Sequence, residues 1–180
     1  TRVQCSLDDE FMLVSVPDER ESFRVNGDRM TPGISVSNSE VGLAALSIST
    51  FTLRLVCTNG MISKTAVSAS YRHVSSKLLS NLPGVLNELR EGFGQQREQF
   101  QISLESKVEN PEATIESFNR QFELRKEEKE AVDWALAQEY GFMMFSVVNT
   151  YTRAAQYELL TAESRFRLQK VGGMVLGMVN

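Results

Sequence analysis

The run Pro32-Gly-Ile-Ser-Val-Ser-Asn38, then Ser39-Glu-Val-Gly42, then Leu43-Ala-Ala-Leu-Ser-Ile-Ser-Thr-Phe-Thr-Leu-Arg-Leu-Val-Cys57, decides the fold. Ile34 to Asn38 alternates apolar and polar residues as a strand does, Ser39 to Gly42 supplies turn chemistry, and Leu43 to Cys57 reads as a long return strand. The predicted unit is an antiparallel pair. Within the return strand, Leu46 and Ile48 share one parity while Phe51, Leu53 and Leu55 share the other, so a flat strand cannot place all five on one face. A bulge or bend near Ser49-Thr50 is the predicted remedy. Arg54 then points away from the layer that Leu53 and Leu55 pack against, beside Thr52 and Val56.

Working outward, Val3, Cys5 and Leu7 alternate with polar residues, and Phe11 to Val16 is a compact apolar run closed by Pro17. Both read as strands. Asn26-Gly27 lies between Ser22-Phe-Arg-Val25 and Asp28-Arg-Met30, where residues tolerant of positive φ close a two-residue hairpin.

After Gly60 the period changes. Leu78, Leu82, Leu86, Leu89, Phe93, Phe100, Leu104 and Val108 recur at helical spacing, with Pro83-Gly84 predicted to start the helix behind an Asn81 cap or to split off a short one. Asn110-Pro111 combines a capping side chain with proline at the first helical position. The alternating charges of Arg125 to Glu130 read as a solvated helix surface. Trp134, Leu136 and Tyr140 continue an apolar stripe, Phe142 to Tyr157 forms another helix, and Thr161 caps the last. The small residues of Val171-Gly-Gly-Met-Val-Leu-Gly177 suit close helix packing. Strands first and helices afterwards predict a single α+β domain over residues 1–180, strand-rich over 1–62 and helical over 65–180, with an N-terminal antiparallel sheet. Because Thr1 falls inside a structured segment and the last residues are apolar, the expectation is a piece of a longer chain.

The 180 residues can bury an ordinary core without disulfides or metals. A net charge of −4, from 19 Lys and Arg against 23 Asp and Glu, argues against a general coat for DNA. Cys5 and Cys57 are the two cysteines, too few and too far apart in sequence for a disulfide scaffold or a paired-cysteine zinc site. Asp8, Asp9 and Glu10 read as a charged turn rather than a cation site. No apolar run reaches a membrane span and no secretory signal is present, so the expected setting is soluble and cytoplasmic, with no membrane partner, metal or cofactor.

From Val41 to Asn87 the chain has no Asp or Glu, yet it holds Arg54, Lys64, Arg72, His73 and Lys77. Such an island concentrates positive potential and attracts anions. A turn at Asn59-Gly60 leading into a helix would offer backbone N–H groups to the same anion.

The order and spacing of Pro32-Gly33-Ile-Ser-Val-Ser-Asn38-Ser39-Glu40-Val-Gly42, Arg54-Leu-Val-Cys57-Thr-Asn59-Gly60-Met61, Arg72-His73 and Val148-Asn149-Thr150-Tyr151-Thr152 resemble the phage- and plasmid-associated family called domain of unknown function 932. The likeness covers most of the chain, departing where Arg153-Ala-Ala-Gln156 replaces an aromatic and His-containing continuation and in lacking the family's usual N-terminal region. It carries over no catalytic residues, and its mobile-element setting implies nucleic-acid transactions. The leading expectation is a non-enzymatic module that contacts phosphate of single-stranded nucleic acid through Arg54, Asn59, Gly60, Lys64, Arg72, His73 and Lys77, with Tyr71 stacking on a base. An enzyme would use Cys57 as nucleophile and His73 as base, although a strand Cys is more often buried and apolar. The third class is an interaction protein or homo-oligomer, suggested by phenylalanines 93, 100, 118, 122, 142 and 145 with Met143 and Met144.

Overall fold

A computed structural model describes residues 3–39, 46–54, 59–62 and 76–179. Its strands are β1 (Gln4–Leu7), β2 (Met12–Pro17), β3 (Phe23–Val25), β4 (Asp28–Asn38), β5 (Ser47–Arg54) and β6 (Asn59–Ile62). They form one antiparallel sheet in the order β1-β2-β4-β5-β6, with β3 beside the start of β4. Each strand thus lies next to one close to it in sequence, as short turns dictate. The Asn26-Gly27 hairpin is present, both residues at positive φ (50° and 84°), with Val25 opposite Asp28.

The predicted bulge is absent. β4 and β5 pair without interruption from Met30 opposite Arg54 to Ser37 opposite Ser47. The parity conflict is resolved by burying both faces. Ile48, Thr50 and Thr52 face one side and Phe51 and Leu53 the other, none of them more than 5% exposed.

Helix α1 (Ser76–Glu105) covers the first face, where Leu89 packs on Ile48 and Gln96 reaches Thr50 and Thr52. On the second, Phe11, Leu13, Phe51, Leu53 and Ile62 pack with Ala162 and Phe166 of α5 (Ala162–Leu176). α1 runs through Pro83-Gly84 instead of starting or dividing there. Proline so near the start of a thirty-residue helix forfeits one N–H bond, a loss that the rest of the helix absorbs.

The other helices are α2 (Pro111–Gln121), α3 (Lys126–Glu139) and α4 (Met144–Ala154). The Asn110 side chain accepts from the Ala113 N–H at 2.9 Å, and Thr161 Oγ1 from the Ser164 N–H at 3.2 Å, as the capping residues predict. One apolar core joins sheet and helices, running from Phe23, Val25, Met30 and Met61 through Phe100 to Phe145, Tyr151 and Leu168. Phe93, Phe100 and Phe145 are buried within the chain and Phe142 is the exposed one of the predicted phenylalanine surplus. Gly172 and Gly173 are buried too, and a Cβ on Gly172 would sit 2.8 Å from Thr152 Cγ2, so the small residues bring α5 against α4.

Candidate functional site

Arg54 ends β5 on the α1 face, as its parity requires. Its Nε donates to Asp28 Oδ2 at 2.6 Å and its Nη1 to Glu139 Oε2 at 2.9 Å, while the guanidinium lies 5.7 Å from the centre of the Phe145 ring. All three charged side chains keep less than a fifth of their exposure. Burial works against the arginine's charge, and the bonds and charges of Glu139 and Asp28 outweigh it, raising its pKa above the ordinary value. Arg54, expected to face phosphate, therefore ties the β3–β4 hairpin to the end of α3 with both bonds of its fork spent on carboxylates.

Asn59 and Gly60 do not form the expected turn before a helix. They open β6, opposite Arg54 and Leu53, so their backbone belongs to the ladder with β5. Lys77 lies in the first turns of α1. Lys64, Tyr71, Arg72, His73 and Cys57 lie outside the described residues, and with them the Cys57–His73 pair.

The last residues of the acid-free stretch, which are among the described ones, reach a site from another direction. Pro83, Leu86 and Asn87 of α1 form one wall of an open cleft of about 780 Å³, with Val16, Pro17, Gly33 and Ile34 of β2 and β4 opposite and Phe93 deeper in. Asp18, Glu19, Arg20 and Arg90 stand at its rim. Arg20 Nη2 approaches Asp18 Oδ2 at 2.7 Å and Arg90 Nη2 approaches the same oxygen at 3.3 Å. The Arg20 bond does most to hold the Asp18 carboxyl far below the usual carboxylate range, against the opposing pull of burial, and Arg90 adds to it. Arg90 remains about half exposed, so its guanidinium is within reach of solvent ligands. Gly33 keeps this corner tight, since a Cβ there would sit 2.7 Å from the Phe51 ring and from Pro17 Cα.

A second cleft, of about 640 Å³, lies on the α5 face between β1 and the α4–α5 turn, lined by Val3 to Leu7, Leu13, Ser15, Ala155, Gln156, Arg165 and Gln169. Arg165 holds that turn by donating from Nε, Nη1 and Nη2 to the carbonyls of Leu160, Ala155 and Glu158 at 3.1–3.2 Å.

Several polar residues outside the predicted site are buried. Gln96 is wholly enclosed, donating to Thr50 Oγ1 at 3.0 Å and accepting from Thr52 at 2.7 Å. Its helical register with Leu89, Phe93 and Phe100 is the signal that places it inward. Glu128 sits in the run read as a solvated surface, yet it is fully buried, accepting from Arg167 Nε and from the Arg125 N–H, both at 2.9 Å. Its place three residues after the helix start is half of a capping box, the feature that distinguishes it from its exposed neighbours. Asn149, Thr150, Tyr151 and Thr152 are all buried, and the Tyr151 hydroxyl lies 2.9 Å from Asn119 Oδ1. Burial, then Glu116, raises the pKa of that hydroxyl. This segment is core.

Asp8 acts as an anchor rather than a cation ligand. Its Oδ1 accepts from the N–H groups of Glu10 and Phe11, and its Oδ2 from Ala162 N–H at the start of α5. No group of three His, Cys, Asp or Glu placed to hold a metal occurs among the described residues, and none of their helices is long and apolar enough to cross a membrane. No known protein family, curated protein or solved structure matches the chain.

Proposed function

We propose that this chain is a non-enzymatic binding module and that its ligand is single-stranded nucleic acid, held in the cleft between α1 and the β2–β4 corner. The observation that carries this reading is the pairing of an apolar cleft floor with two guanidiniums, Arg20 and Arg90, that converge on the single carboxylate of Asp18 at its rim. Phosphate competes with that carboxylate for the exposed Arg90, while the aliphatic wall of Val16, Pro17, Ile34 and Leu86 suits the faces of bases. The lining is charge-balanced, Arg20 and Arg90 against Asp18 and Glu19. We assign net attraction to the acid-free stretch that precedes this wall in sequence, whose cations are Lys64, Arg72, His73 and Lys77 and whose aromatic group is Tyr71. Arg54, committed to two carboxylates, has no part in it.

Fluorescence anisotropy with labelled single-stranded and duplex oligonucleotides over a salt series tests this. Binding to the single strand should weaken steeply with salt, and Arg90→Ala and Arg72→Ala should each lower the slope by about one counterion. The exposure of Arg90 makes the first variant cheap in stability. Absence of binding at low salt, or binding that both folded variants leave unchanged, would sink the proposal.

A further inference from the structure

We infer that the cleft between β1 and the α4–α5 turn is a second binding site, independent of the first, and that its ligand is a sugar carrying one acidic group. Arg165 supplies the charge. Unlike Arg54, Arg125 and Arg167, whose partners are carboxylates, it spends its bonds on the carbonyls of Leu160, Ala155 and Glu158. Those oxygens fix the guanidinium in place and leave its charge whole. A guanidinium has more N–H groups than these bonds use, so one on Nη1 and one on Nη2 remain for a ligand. The side chain lines the cleft, and no carboxylate among the described residues lines it too. An arginine already held in position loses little freedom on taking up an anion.

The anion must also bring donors. Gln169, one turn after Arg165 on α5, lines the same cleft with its Oε1 buried and unpartnered. A bare anion such as sulfate cannot satisfy a carbonyl oxygen, whereas a hydroxyl can. Leu13 packs toward α5, so Ser15, two residues on, and Ser6, opposite Leu13 in the β1–β2 register, face the same side. Ser15 donates to Ser35 Oγ at 3.3 Å, which leaves its own oxygen to accept from the cleft. Ser6 and Gln156 line it with groups that both donate and accept.

One fixed cation, a buried acceptor in want of a donor and a wall of hydroxyl and amide groups together match an acidic group set among hydroxyls. Leu13 and Ala155 add apolar surface for the C–H faces of a sugar ring. No aromatic ring lines the cleft among the described residues, so a stacked base has no platform there and the site differs in kind from the first. The volume of about 640 Å³ lies within the usual range of ligand pockets and exceeds what a lone inorganic anion fills.

Titration calorimetry and amide NMR on the whole chain at low salt test this with glucuronate, glucose 6-phosphate, glucose and sulfate as probes. The expected result is saturable binding of one or both sugar anions, with shifts at Ser6, Arg165 and Gln169. Glucose lacks the charge and sulfate the hydroxyls, so each should bind about tenfold or more weakly, the loss of one charge-assisted bond. Preference for glucuronate would assign a carboxylate as the acidic group, and preference for glucose 6-phosphate a phosphate; either upholds the site. Gln169→Leu keeps the bulk of the side chain and should weaken the sugar anions about tenfold, while Arg90→Ala, in the other cleft, should leave shifts and affinity at this site unchanged. Comparing probes on the unaltered protein makes the test independent of how any variant folds. Glucose or sulfate bound as tightly as the sugar anions, shifts confined to the α1 cleft, or no binding of either sugar anion at about 10 mM would overturn the proposal.

Discussion

Replacing Arg54 by methionine removes both bonds of the fork, the one to Asp28 and the one to Glu139. Each bond joins charged partners, at 2.6 and 2.9 Å, and such bonds contribute about 1.5–3 kcal/mol. The gross loss is then about 3–6 kcal/mol. Two effects reduce it: the side chains retain 12–17% exposure, which lets water reach the abandoned carboxylates, and methionine keeps apolar contact with Phe145. A net loss of about 3 kcal/mol is expected, comparable to breaking a buried ion pair from one side. For a chain of 180 residues this lowers Tm by roughly 6–12 °C. Urea unfolding followed by circular dichroism should show a lower midpoint with an unchanged m-value. Arg54→Lys keeps the charge but cannot reproduce the planar fork, so it should lose about half as much. Adding Asp28→Asn and Glu139→Gln to Arg54→Met should restore part of the loss by removing the uncompensated charge. A loss below about 0.5 kcal/mol in Arg54→Met would refute the structural role argued here and free Arg54 for a ligand.

Gln96→Leu should cost about 2 kcal/mol, because the hydroxyls of Thr50 and Thr52 are left buried and unpaired, and adding Thr50→Val and Thr52→Val should recover most of it. Urea midpoints for the single and triple variants check this, and additive losses would count against the clamp. Asp8→Asn should cost about 1 kcal/mol at pH 7, a capping-sized effect. Burial pushes the Asp8 carboxyl up, but the N–H groups of Ala162, Glu10 and Phe11 hold it below its ordinary value. Its stabilisation is therefore complete above about pH 4 and is lost as pH falls through the lowered pKa. The gap between wild type and Asp8→Asn should narrow as the pH falls below about 4 in urea titrations, and a gap independent of pH would contradict the anchor.

Local chemistry was legible wherever it needs few partners. Asn26-Gly27, Asn110-Pro111 and Thr161 each declare a turn or cap through a side chain acting within four residues, and the structure has all three. The antiparallel sheet followed by helices was legible for the same reason, since period two gives way to period 3.6 once. Where tertiary partners decide, the same residues admitted the wrong local answer. Ile48 and Phe51 have conflicting parity only if one face of β5 is wet. With α1 on one side and α5 on the other, the conflict becomes the signature of a strand buried on both faces, and no bulge is needed. Polar residues completed the disguise: nothing local to Thr50 and Thr52 marks them as buried, and Gln96, some forty-five residues on, bonds to both and makes their row an interior. Glu128 repeats the lesson on a helix. Six alternating charges look solvated, and a single arginine on α5 makes the third residue of α3, Glu128, a core residue. Arg54 follows the same logic in the opposite direction: its stretch lacks acids, but its carboxylates arrive from residues 28 and 139, outside the interval from which its neighbourhood was read. An acid-free interval in sequence therefore becomes a positive surface only where folding brings no Asp or Glu from elsewhere. On the α1 wall, beyond that interval, Arg90 is the cation to mutate first, because its carboxylate partner at 3.3 Å is already shared with Arg20.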